Sequence, residues 1–70
     1  MTLDTALILL RRLGVDVSSL SRQDFSTAYY CLARRYHPDR NQATAELMAN
    51  INAARTCVLK SYRWTATVNG

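Results

Sequence analysis

The sequence predicts an all-α fold, in which two long helices form an antiparallel hairpin and a shorter first helix packs across it. Three observations lead there. Apolar residues recur at spacings of three and four in three separate stretches, the period of helices buried along one side. Two glycines and one proline in 70 residues are too few turn formers for a many-stranded β fold. Hydrophobic residues make up 49% of the chain and charged ones 20%, too apolar a mix for intrinsic disorder. Seventy residues leave room for one core, so residues 1–64 are read as a single domain and 65–70 as a C-terminal tail. A domain this small buries only about 60% of the surface its unfolded chain exposes. It has little room for an active site with its own lid and cofactor pocket. The expectation is a binding module that is not an enzyme and carries no cofactor or metal.

The first helix is read from about Leu3 to Leu13, with Leu3, Ala6, Leu7, Leu10 and Leu13 on one face. Asp4 in its first turn, Arg11 and Arg12 in its last, and Gly14 just beyond all suit the helix dipole and a C-terminal cap. Ile8 and Leu9 are expected to widen its core face. Val15 to Leu20 reads as a loop. Ser21 then offers an N-cap, Asp24 stands at the third helical position as a weaker form of the usual Glu or Gln, and Leu20 and Phe25 flank them as a hydrophobic staple. Phe25, Ala28, Tyr29, Leu32 and Tyr36 give the second helix its apolar stripe, with Tyr30 off it and exposed. That helix must end near His37, because Pro38 disfavours α geometry in the residue before it. After the polar stretch Asp39 to Ala43, a third helix starts near Asn41 or Thr44. Its stripe is Leu47, Met48, Ile51, Ala54 and Val58, and it runs toward Tyr62 or Trp64. A connection of about five residues favours an antiparallel pair.

Nine Lys plus Arg against five Asp plus Glu give a net charge of +4. This suggests an acidic partner without choosing among nucleic acid, anionic membrane and acidic protein surface. The longest apolar run, Ala6 to Leu10, is far below the roughly 20 residues that span a bilayer. Asp4 replaces the basic start of a secretory signal. A cytoplasmic monomer with no membrane partner is therefore expected, with Cys31 and Cys57 reduced. Those two cysteines and His37 match no zinc spacing and lack a fourth ligand.

The singular feature is His37-Pro38-Asp39, where the second helix gives way to the loop. A given tripeptide turns up by chance in roughly one chain in a few hundred of this length, so the context has to decide. It stands within Ala33-Arg34-Arg35-Tyr36-His37-Pro38-Asp39-Arg40-Asn41. A capped amphipathic helix precedes it, and Ile51-Asn52-Ala53-Ala54 lies on the next one. Over about Leu9 to Leu59 the chain resembles a J-domain, the Hsp70-stimulating module of the DnaJ (Hsp40) co-chaperones.

The resemblance implies a module with no chemistry of its own, which docks on ATP-bound Hsp70 and accelerates its ATP hydrolysis. By that likeness His37, Pro38 and Asp39 form the stimulating loop, and Arg34, Arg35, Arg40 and Asn41 belong to the docking surface. Pro38 would stiffen the turn that displays the two polar side chains, and arginines suit bidentate pairing with carboxylates. The chain also departs from the family. Ser26, Thr27, Tyr30 and Cys31 stand where several basic residues are usual, Leu9 and Leu10 replace paired aromatics, and Arg55 replaces a tyrosine. The loop is about three residues shorter than in the bacterial prototype. A fourth helix with its basic cluster is not recognisable, nor is a Gly/Phe-rich or cysteine-rich zinc segment. Two alternatives stay open: a J-like module that tethers without stimulating, and a basic three-helix nucleic-acid binder. Against the latter, the second helix ends in a proline turn and offers no mixed Arg, Asn and Gln recognition face.

Overall fold

The computed structural model describes residues 1–36 and 42–64. Among these it has three α-helices and no strand: α1 (Leu3–Arg12), α2 (Arg22–Arg35) and α3 (Gln42–Ser61). A single 3₁₀ turn, Val17–Ser19, interrupts the connection between α1 and α2.

Each helix end has a local cause. Thr2 caps α1, its Oγ1 accepting the Thr5 backbone N–H at 3.2 Å. At the other end the Val15 N–H reaches the Leu10 carbonyl at 2.9 Å, and the Gly14 N–H reaches Arg11 at 3.0 Å. These two bonds make a Schellman motif, which needs a left-handed residue at its centre, and Gly14 supplies it with φ at +92°. Leu10 and Val15, the apolar pair that accompanies such a motif, are both buried. The 3₁₀ turn is held by Asp16, whose carboxylate accepts from Ser18 Oγ at 2.8 Å and whose carbonyl accepts from Ser19 Oγ at 2.9 Å. Ser21 caps α2 as its sequence position suggests, accepting the Asp24 N–H on Oγ at 3.1 Å. Helix α2 stops at Arg35, two residues sooner than the Pro38 restriction alone requires. Tyr36 forms the C-cap, and its N–H still bonds Leu32 at 2.9 Å. Helix α3 ends at Ser61, short of the Tyr62–Trp64 limit read from the sequence.

The core is Ala6 and Leu10 of α1, Val15 and Val17 of the connection, Phe25 and Leu32 of α2, and Met48, Ile51, Ala54 and Val58 of α3. Helices α2 and α3 run antiparallel: Phe25 packs tilted against Trp64, just beyond the end of α3, at 5.6 Å between ring centroids, while Tyr29, one turn on, meets Asn52. The tightest approach is nevertheless between α1 and α3, whose backbones come close along their contact, whereas α2 stands off from α3 over most of its length. The side chains explain the difference. Ala6 and Ala54, both fully buried, let two backbones approach, and the aromatic stripe of α2 keeps its backbone away.

Ile8 corrects the sequence reading. It is 56% exposed, so the core face of α1 does not extend to it, although Leu9 packs against the core. The five consecutive apolar residues from Ala6 to Leu10 cannot all turn inward on one helix. Ile8 sits about 100° from each neighbour and loses that competition.

Candidate docking face and the connection between α2 and α3

His37, Pro38, Asp39, Arg40 and Asn41 lie outside the described residues, as do residues 65–70. In the chain the tripeptide falls between Tyr36, the C-cap of α2, and Gln42, the first residue of α3.

Arg34 and Arg35 are described, and both are exposed in the last turn of α2, where a cation is favoured by the unpaired carbonyls of the helix end. They are not equivalent. At 100° per residue, the buried residues Phe25 and Leu32 define the inward side of α2. The exposed residues Gln23, Thr27, Tyr30 and Arg34 form a narrow stripe on the opposite side. Arg34 belongs to that stripe. Arg35 lies about 100° round the helix from Arg34 and off that stripe, and its guanidinium lies 5.9 Å from the Tyr36 ring, a weak cation–π contact.

Within the α2–α3 seam, the sequence reading treated Tyr29 as a core residue and Arg55 as a missing aromatic. The structure joins them. The Tyr29 hydroxyl donates to Asn52 Oδ1 at 2.6 Å, and the Arg55 guanidinium sits 4.8 Å above the Tyr29 ring. Asn52 and Arg55 are three residues apart, so they share a face of α3, and that spacing is the one signal that could have paired them beforehand. The tie orients α2 on α3 through polar contacts at the edge of the core. It also leaves Arg55 half-buried and engaged rather than displayed.

Cys31 is exposed and Cys57 half-buried, and both are free thiols. Among the described residues no group of three His, Cys, Asp or Glu side chains could hold a metal ion. No helix among them is long and apolar enough to cross a membrane. Surface depressions on α3 gather Arg55, Thr56, Leu59 and Lys60 in one place, and Ala53, Thr56, Cys57, Lys60 and Ser61 beside Met1 in another. Comparison of the chain with protein-family models, with curated proteins and with solved structures gives no match.

Proposed function

We propose that the chain is a J-domain-like module of the Hsp70 co-chaperone type, docking on ATP-bound Hsp70 and stimulating its ATP hydrolysis. The observation that carries this reading is His37-Pro38-Asp39 in the short connection between two antiparallel helices, directly after a helix end bearing Arg34 and Arg35. The all-helical fold and the exposure of both arginines support it. The division of labour follows from the residue types. Arg34, Arg35, Arg40 and Asn41 approach an acidic surface, where charge mainly steers association and sets orientation. Pro38 limits the conformations that His37 and Asp39 must give up on binding. ATP, magnesium and the hydrolytic groups belong to Hsp70, and this chain supplies a trigger.

The test is single-turnover ATP hydrolysis by several Hsp70s, alone, with this protein, and with its His37→Gln variant. Stimulation by the wild type that the variant loses, while its helical circular dichroism is unchanged, is the expected result. Equal rates with and without the wild-type protein across all the Hsp70s overturn stimulation. Persisting binding would then mark a tethering module, and salt-sensitive binding to duplex DNA would point to the nucleic-acid alternative.

A further inference from the structure

Tyr30 is the most exposed large hydrophobic residue described, at 63%, and it sits in the middle of the outward stripe of α2. Its neighbours one turn away on that stripe are Thr27 and Arg34. The Thr27 hydroxyl is already engaged, donating to the Gln23 carbonyl at 3.3 Å, so it does not compete for a partner's polar groups. The Tyr30 hydroxyl bonds no described residue, in contrast to Tyr29, which is held by Asn52 and Arg55. The only acidic residue of α2 is Asp24 in the first turn. The C-terminal half of the exposed face therefore combines one free aromatic ring with arginines and no carboxylate.

We infer that Tyr30 is the anchor of the α2 docking face, inserting its ring into an apolar recess on ATP-bound Hsp70 while Arg34 pairs with carboxylates at the rim of that recess. The inference rests on the co-chaperone reading and deepens it. With Ser26, Thr27, Tyr30 and Cys31 in place of basic residues, charge alone offers this helix little adhesion, since exposed ion pairs contribute little each. A tyrosine offers a large contact area at low conformational cost and a hydroxyl that can bond at the wet edge of an interface. Aromatic residues ringed by polar ones are the usual centres of binding energy. The partner surface this face fits is thus acidic but not uniformly polar, with an aromatic-sized recess about one helical turn from its carboxylates.

The anchoring role and a purely electrostatic one differ in sign for one substitution. Tyr30→Lys adds a positive charge to a basic face, so electrostatic docking predicts tighter binding to an acidic partner, whereas loss of an anchor predicts weaker binding. The experiment measures equilibrium binding of the wild-type protein, Tyr30→Lys, Tyr30→Phe and Arg34→Ala to Hsp70 trapped in its ATP state by a hydrolysis-blocking substitution. It is run at two salt concentrations, with circular dichroism as the folding control. The expected result is at least about a fivefold loss of affinity for Tyr30→Lys, near-retention for Tyr30→Phe, and a reduced salt dependence for Arg34→Ala. Tighter or unchanged binding of Tyr30→Lys, with a measurable loss for Arg34→Ala, overturns the anchor and leaves the co-chaperone reading standing. No binding of the wild-type protein to any ATP-state Hsp70 overturns both.

Discussion

On one side of α3, Asn50, Ala54 and Cys57 form a stripe turned to α1, and the Cys57 thiol donates to the Met1 carbonyl at 3.5 Å. On another side, Asn52 and Arg55 meet α2 through the ring and hydroxyl of Tyr29. The first seam is close, and the fully buried residues of its two helices include small ones, Ala6 of α1 and Ala54 of α3, whose side chains hold backbones apart least. The second is wide because Phe25, Tyr29, Leu32 and Tyr36 stand between α2 and α3. The contrast shows how one short chain can divide its work. The close seam ties the start of the chain to the far half of α3. The wide seam sets α2 at a polar-fixed angle with its opposite face free for a partner.

The seams should fail in opposite ways. The wide seam is harmed most by removing volume. Phe25→Ala takes away a ring that is 1% exposed and packed near Trp64, and is expected to cost about 3–5 kcal/mol, enough to leave much of so small a domain unfolded at 25 °C. Thermal and urea unfolding followed by circular dichroism measure it. The close seam is harmed by adding volume. Ala54→Leu is expected to cost about 1–3 kcal/mol by forcing α1 away from α3, and a smaller loss than for a typical exposed site would show that the seam is loose.

A third substitution probes the turn that sends the chain from α1 toward α2. Gly14→Ala meets nothing within 4 Å of its new Cβ, so its cost is backbone conformation alone, about 1–2 kcal/mol for a left-handed non-glycine residue. A drop in Tm of several degrees is the expected reading. Tyr29→Phe removes only the hydrogen bond to Asn52 and is expected to cost about 1 kcal/mol, with the Arg55 stack retained. Arg34→Ala should leave stability within about 0.5 kcal/mol of wild type, because the residue is exposed and in no described ion pair, while lowering the salt dependence of the proposed Hsp70 docking.

Much of this architecture was legible in the sequence because local rules and burial agreed. Ser21 caps, Gly14 turns, Phe25 and Leu32 bury, and Met48, Ile51, Ala54 and Val58 all point inward as their spacing implies. The departures come from choices that a one-dimensional pattern leaves open. Ile8 sits in a run of five apolar residues in which periodicity cannot say which one faces out. The pairing of Ala6 with α3 depends on which helices meet, and small residues carry no strong periodic signal. Arg55 read as an aromatic lost, whereas its stem and guanidinium cover the face of an aromatic on the facing helix. Of the residues the sequence singled out, Arg34 and Arg35 are exposed at the end of α2, and His37-Pro38-Asp39 lies outside the described residues. The stripe of Gln23, Thr27, Tyr30 and Arg34 became visible only once the inward side of α2 was set by burial.

The most direct test of docking through α2 is a backbone amide chemical-shift titration of the isotope-labelled protein with ATP-state Hsp70. Docking through the outward face of α2 and the following loop predicts perturbations concentrated at Gln23, Thr27, Tyr30, Arg34 and His37 to Asp39, with Thr5, Ile8 and the rest of α1 unchanged. Perturbations centred on α1, or a spectrum that does not respond, would contradict it.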